Sequence, residues 1–386
     1  MMKTVLNCGY VPLVDCAPLI IAQELGFAAE EGIDLNLVQQ PSWSALRDML
    51  ALGHLDAAQM LSPMPVAMSL GLGGLSAEID ALMVLSVNGT VFGLSTPLAQ
   101  KLRAADHAPA FGQAAQLHKS LNAAGINHLR IGVPFHFSMH RLLLEYWLAE
   151  SGPPDLSVDI VAVPPPRMSD AISRNEIDAF WVGEPWGSVA VSREVAELVL
   201  PGSAIWAFAP EKVLAARHQW IEDHPTRVRG LMRAVHQAAR WLDTSTNKSL
   251  AVEILARSEH LNLAPDLIDP AISGQLSPKA EDLPTQIDRF LVFNKHAANF
   301  PWRSQAAWIA ERIGAAADDI AKAKACFRTD LYRNNLGPVG VDLPGASEKI
   351  EGAMRHSTAV SSTRGHMILA PDAFFDGKTY ENGTEK

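Results

Sequence analysis

Seven residues fall where a chain of alternating strands and helices offers groups to a ligand: Trp43, Asn88, Thr90, His140, Val182, Gly183 and Lys212. Open α/β sheets bind small molecules beyond the carboxyl ends of their strands, where helix N-termini and their unpaired N–H groups point. Trp43 opens the helix after the second strand, and Asn88 and Thr90 lie on the turn closing the first block. His140 stands at the start of the helix following Val133-Pro134, so its ring could face an anion together with free backbone N–H groups. Val182-Gly183 ends a strand, and glycine lets a backbone N–H approach a ligand closely. Lys212, within Ala209-Pro210-Glu211-Lys212, lies where the chain should return to its first half. Each residue also has a plain structural explanation. A tryptophan is ordinarily core, Lys212 beside Glu211 a solvated surface pair, a histidine at a helix start a cap, and Gly183 the turn before Glu184-Pro185-Trp186. Their shared location at loop ends weighs more than any one of them.

The enzymatic motifs are missing from the sequence: no Gly-rich phosphate loop, HExxH, GxSxG elbow or CxxC. His136 and His140 have the i, i+4 spacing of a metal pair if helical, but Pro134 and Phe135 start the helix after His136, so the two need not share a face. No metal, cofactor or catalytic residue is expected. Cys8, Cys16 and Cys326 have no metal-type spacing, and an odd count suits a reducing compartment. A net charge of −10 argues against direct nucleic-acid binding and requires any captured anion to be held by local groups. The longest apolar stretches, Ala17 to Ala22 and Met64 to Leu72, stop far short of a membrane span, so no membrane insertion is expected. The start, Met1 to Cys8, has one lysine and then reads as a strand, without the apolar region of a secretory signal; either the start has been trimmed or the protein is cytoplasmic, and the initiating Met favours the latter.

The elements that must position these groups alternate as βαβα over the first ninety or so residues. Thr4 to Tyr10 and Ile33 to Gln40 read as strands, Ala17 to Glu31 as a helix stopped by Gly32, and Trp43 to Leu52 as a second helix. A second block restarts with a strand at His128 to Pro134, a helix at Met139 to Glu150 ended by Ser151-Gly152-Pro153-Pro154, and a strand at Val158 to Val163. The two blocks share a pattern: Leu55-Asp56-Ala57-Ala58-Gln59-Met60-Leu61-Ser62-Pro63 recurs position for position as Ile177-Asp178-Ala179-Phe180-Trp181-Val182-Gly183-Glu184-Pro185. Two similar α/β lobes facing one another imply a clamshell with a small ligand in its cleft. The 386 residues divide into lobe 1 (1–92 with 206–330), lobe 2 (93–205) and a C-terminal extension (331–386) that is extended or partly disordered, since it turns to Gly, Pro, Ser and Asn, although its block Gly340 to Ala346 could be an ordered arm against a lobe or partner. Mostly parallel sheets with right-handed crossovers are expected. Helices are expected at Pro225 to Leu242, Lys248 to Arg257 and Thr285 to Asn294.

Six dispersed segments make a family resemblance specific: Asp15-Cys16-Ala17-Pro18-Leu19-Ile20-Ile21-Ala22, Ser42-Trp43 through Arg47-Asp48, Leu61-Ser62-Pro63-Met64-Pro65, Val163-Pro164-Pro165-Pro166, Val182-Gly183-Glu184-Pro185-Trp186 and Pro210-Glu211-Lys212. With them the chain resembles the nitrate-binding branch of periplasmic-type solute-binding proteins, the family of the NrtA nitrate and CmpA bicarbonate receptors, over about residues 5 to 310. The resemblance implies a type II periplasmic-binding-protein-like fold with an oxyanion held by groups that fall on Trp43, Thr90, His140, Val182 and Lys212. The turn Asn88-Gly89-Thr90 departs from the family's Asn-Gly-Gln, and the shorter side chain leaves room for a water or another ligand pose. The lysine favours nitrate or nitrite over bicarbonate, whose receptor resembles a calcium-dependent binder. Nitrate is flat and singly charged; one ammonium, an imidazole and an indole N–H and backbone donors suit its edge, and one lysine balances one charge. The missing signal and the tail after Phe327 resemble the cytoplasmic NasS-type nitrate and nitrite sensors, which implies a ligand-controlled antiterminator partner of the NasT type. That sensor, without catalysis, is the main expectation. The alternative is the substrate-binding component of an ABC transporter for nitrate or another small anion. An enzyme of the thiamine-pyrimidine type would need His and Cys in the cleft, with Cys8 and Cys16 the available cysteines.

Overall fold

A computed structural model describes residues 4–75, 77–105, 110–151, 156–381 and 384–385. The Gly152-Pro153-Pro154 stop and the Asn382-Gly383 end lie outside the described residues. Among the described residues, ten strands and the short Leu291–Val292 build the two main sheets: β1 (Thr4–Tyr10), β2 (Ile33–Gln39), β3 (Ala57–Leu61), β4 (Ile79–Asn88), β5 (Thr90–Ser95), β6 (His128–Val133), β7 (Ser157–Ala162), β8 (Ala179–Gly183), β9 (Ala196–Pro201) and β10 (Pro210–Arg217). The first sheet runs β2-β1-β3-β10-β4, with the two-residue strand Leu291–Val292 beyond β4; the second runs β7-β6-β8-β5-β9. The repeated sequence pattern supplies β3 and β8, which hold equivalent places in the two orders. Both are wholly buried runs, as strands covered on two faces must be.

The sheets are mixed and not mostly parallel. β10 runs antiparallel to β3 and β4, and β5 antiparallel to β8 and β9. The chain path explains this: β5 follows β4 directly across Asn88-Gly89, and β10 re-enters from the second sheet, so each runs against the strands it joins. The second sheet therefore starts at Thr90, and a boundary between 92 and 93 falls inside β5.

Helix Pro225–Leu242 covers the first sheet by packing on helix Ala17–Glu24. Its buried Val228, Leu231, Met232, Val235, Ala238, Ala239 and Leu242 form one apolar stripe at the helical period. The helix expected over Ala17 to Glu31 is broken instead at Gly26, whose φ of 79° a side chain would strain. The helix expected at Thr285 to Asn294 is absent. Arg289 takes a left-handed φ of 55°, and Leu291–Val292 pairs with the end of β4, so an unpaired sheet edge outcompetes a helical apolar spacing.

The extension is extended for most of its length, as expected, but it is ordered and begins with a helix. Thr329–Leu336 is a helix packed on Pro225–Leu242, and the rest, although largely irregular, is tied down at buried points. Ala207 N donates to Ala373 O at 3.0 Å, Phe375 N to Ile205 O at 2.9 Å, and Tyr146 Oη to Asp376 Oδ2 at 2.9 Å. The Lys349 ammonium meets the carboxylates of Glu351 and Asp372, both buried, and Ser304 Oγ donates to Glu351 Oε1 at 2.6 Å. A Gly/Pro/Ser composition excludes regular elements, but it does not exclude a strap held by charges and by Phe374 and Tyr380. Lys349→Ala would strand two buried carboxylates, a loss of about 3–5 kcal/mol. Urea unfolding should show a clearly lower midpoint; an unchanged midpoint would mean that this cluster does not hold the strap.

Candidate functional site

Lys212 is fully buried where the two sheets meet, and its position depends on an irregularity in β10. Neighbouring residues of a regular strand point to opposite faces. The register of β10 against β4 shifts on both sides of Lys212, a bulge that re-aims side chains. Glu211 Oε1 can thus lie 2.6 Å from Lys212 Nζ. On the other side Asp15 Oδ2 lies 2.9 Å from the same nitrogen, presented by the single helical turn Val14–Cys16 after β1. Gln59 on β3 orients Asp15 by donating from Nε2 to Oδ1, while its own Oε1 accepts from Val11 N at 3.0 Å.

Trp43 is the first residue of helix Trp43–Ala51, fixed there by Ser42, whose Oγ accepts from Ala45 N at 3.2 Å. Its buried ring lies 5.4 Å from Lys212 Nζ, a cation–π contact. His140, second residue of helix Met139–Ser151, comes from the other lobe and places Nδ1 3.3 Å from Glu211 Oε1. Gly183 closes the site. A Cβ there would lie 2.6 Å from Leu13 Cδ2, 3.5 Å from Asp15 Oδ2 and 3.8 Å from His140 Nε2. Two hydrogen bonds lock the lobes beside it: Val14 N to Glu184 O at 2.9 Å and Trp186 Nε1 to Pro12 O at 2.8 Å.

Buried Trp43 Nε1 and both ring nitrogens of His140 have no hydrogen-bond partner among the described residues. An indole N–H and an imidazole N–H of this kind beside an ammonium are donors that an anion's oxygens can use. Burial, then the Lys212 charge, holds His140 well below the usual histidine range, so the ring is neutral and offers one N–H. Burial lifts Glu211 to about 7 against the pull of Lys212, and lifts Asp15 against Lys212 and Gln59. Burial opposes the charge of Lys212, yet the two carboxylates carry it above the ordinary lysine value.

Trp43, His140, Gly183 and Lys212 thus converge, with Val182 preceding Gly183 on β8. Asn88 does not join them. Its Nδ2 donates to Ala207 O and Arg289 O, each at 3.0 Å, and its Oδ1 accepts from Ala209 N at 3.0 Å, so the amide is spent on the crossing between lobes. Thr90 pairs with Gly183, and its Oγ1 accepts from Trp181 Nε1 at 3.0 Å, which leaves its proton and one lone pair. The surface reading of Glu211 beside Lys212 is excluded because both are buried. A lone lysine balancing one charge is corrected too: the ammonium has two carboxylate neighbours. Asp15, Gln59 and Glu184 are additional site groups; a single acid and a single amide inside apolar runs were their signal. His136 is exposed and precedes the helix, so it does not share a site with His140. Cys16 is held protonated by burial and by Asp15, and Cys8 by burial, so neither is a ready thiolate.

Glu184 is buried with Oε2 accepting from Ser188 N at 3.0 Å, and burial raises its carboxyl from 4.5 to about 7. A raised folded value means stability fully present below the unfolded value and lost as pH rises through the folded one. Glu184→Gln should therefore gain melting temperature relative to the parent as pH rises from about 5 to about 8. A constant difference across that range would show that Glu184 titrates normally.

The sequence profile of the NMT1-like family matches residues 2–256. The nitrate/nitrite binding protein NrtA of Nostoc sp. is 31% identical over 307 residues, covering 78% of this chain and 68% of that protein. The nitrate import ATP-binding protein NrtC of Synechocystis sp. is 32% identical over 317 residues, covering 81% of this chain but only 46% of that protein, so this chain spans about half of NrtC. The crystal structure of the periplasmic nitrate-binding protein NrtA from Synechocystis superposes with a TM-score of 0.82 at 26% identity, covering 98% of this chain and 96% of that one. With 98% of this chain covered, the superposition takes in the C-terminal strap, which therefore has a counterpart in that periplasmic nitrate-binding protein.

Proposed function

This chain belongs to the NMT1-like family and, within it, to the nitrate-binding solute-binding proteins, and on that premise we propose that its cleft binds nitrate or nitrite as the solute-binding component of an ABC-type import system. One observation carries the reading: buried Lys212 meets the face of Trp43 and, through Glu211, His140 of the opposite lobe, at the joint where the lobes close. Around the edge of a flat monovalent anion these residues offer an ammonium, an indole N–H and an imidazole N–H, the partners that weak acceptor oxygens need in a desolvated cleft. A doubly charged sulfate would be under-compensated, and the two carboxylates make that worse. None of the three cysteines is needed for such a task, and the function proposed is binding, not catalysis.

Calorimetry should show nitrate or nitrite binding that Lys212→Ala weakens roughly 10²-fold or more, the cost of removing a charged partner. Equal affinity in the variant would remove Lys212 from the site. A thermal-shift screen should rank nitrate or nitrite above taurine, sulfate and bicarbonate; equal shifts would overturn the selectivity.

The narrower reading is a cytoplasmic sensor whose ligand favours the closed clamshell and releases an antiterminator of the NasT type, the two affinities being reciprocally coupled. Capture from native cells, with and without the winning anion, separates the roles. A membrane permease among the captured partners supports import. A soluble RNA-binding regulator released by the anion supports the sensor.

A further inference from the structure

The cleft holds more acid than an anion receptor requires. Lys212 Nζ is shared between Asp15 Oδ2 at 2.9 Å and Glu211 Oε1 at 2.6 Å, and all three groups are buried. With both acids ionised and His140 neutral, the cluster carries one negative charge, and an arriving anion would make two. Charges brought together in a dry site repel strongly, because little water screens them. Glu211 also stands close to two of the groups an anion needs: it lies on the Lys212 ammonium, and its Oε1 is 3.3 Å from His140 Nδ1.

Resting on the reading of this cleft as the anion site, we propose that each monovalent anion enters together with one proton, which the Glu211 carboxylate accepts. The step balances as carboxylate plus solvent proton plus anion giving carboxylic acid beside bound anion. No bond other than the carboxyl O–H forms, and the cluster keeps the charge it began with. Neutral Glu211 ceases to compete for the ammonium, and its O–H becomes a donor to the anion or to His140.

Asp15 is the poorer acceptor because Gln59 Nε2 already donates to its Oδ1. The groups facing Glu211 are Lys212 on its own strand, Asp15 on the turn after β1, and His140 on the helix of the other lobe. Cys16 lies beyond Asp15 and is held neutral. Burial already places the Glu211 carboxyl near neutrality, at about 7, where one added negative neighbour makes protonation favourable.

Titration calorimetry of the full chain with sodium nitrate, repeated in buffers of different ionisation enthalpy, counts the protons. We expect uptake approaching one proton per nitrate near pH 8, with affinity rising by up to ~10-fold for each pH unit lowered and levelling off below about pH 6. Glu211→Gln should bind nitrate with a Kd independent of pH over the same range and with little proton uptake. Nitrate binding by the parent without proton uptake at any pH would overturn the coupling and leave the anion site standing. Uptake persisting in Glu211→Gln would overturn Glu211 as the acceptor. Failure of nitrate and nitrite to bind at every pH would sink the anion reading itself, and this inference with it. Should the variant not fold, the parent's proton count alone decides.

Discussion

A lysine ammonium removed completely from water is the constraint around which this molecule is arranged. Burying such a charge costs several kcal/mol even after relaxation, so its partners must be close and well placed. For Lys212 they are Asp15, Glu211 and the face of Trp43, drawn from the turn after β1, from β10 and from helix Trp43–Ala51. Three stretches distant in sequence must meet within a few ångströms, which only the full first sheet can ensure. Glu211 extends the constraint to the second lobe, because His140 faces the same carboxylate oxygen. Charge compensation and lobe closure are thus one problem: moving the lobes apart changes the surroundings of the acid on which the lysine depends.

The rest of the joint follows from the double crossing of the chain. Asn88 in a left-handed conformation turns β4 into β5, and its side chain fastens the returning segment at Ala207 and Ala209. Beside the cleft, Val14 and Trp186 bond across to Glu184 and Pro12. The C-terminal strap adds contacts to both sides, with Glu351 bonded to Ser304 and Asp376 to Tyr146. Hinge, latch and strap therefore rely largely on backbone and side-chain hydrogen bonds and on charges, whereas the lobes' interiors are apolar. Such a division lets the joint change while each core stays packed.

What was legible in the sequence was what is local or repeated. The strand–helix alternation, the paired patterns at β3 and β8 and the apolar stripe of Pro225–Leu242 all express short-range periodicity. Trp43, His140, Gly183 and Lys212 were found because helix starts and strand ends are readable positions. Interactions set by long-range pairing were hidden. Arg289 and Leu291 read as helix because their spacing is helical, and only the free edge of β4 makes them a strand. Asn88 resembled a ligand group because nothing local reveals its partners on the returning chain. Glu211 looked like a surface partner of Lys212, since the bulge that turns both side chains inward leaves no mark in a sequence. The extension misled for a related reason: composition reports the absence of regular structure, whereas order there comes from a few buried charges and rings.

Selectivity in such a cleft has two separable sources. In the proposed anion site charge count would disfavour dianions, because a single ammonium already shared by two carboxylates has no second charge to offer. It does not divide one monovalent oxyanion from another. On the proposed reading that task would fall to the directions of the remaining donors: the Trp43 indole N–H, the His140 imidazole N–H and the Thr90 hydroxyl, whose oxygen accepts from Trp181 and whose proton remains to donate. A planar anion with three oxygens can meet donors arriving from three sides, and a bent one with two leaves one of them facing nothing. An unpaired buried donor costs about 1–3 kcal/mol. On the proposed anion reading, the difference between related anions would turn on whether the Thr90 hydroxyl reaches the ligand, and Lys212 would serve capture.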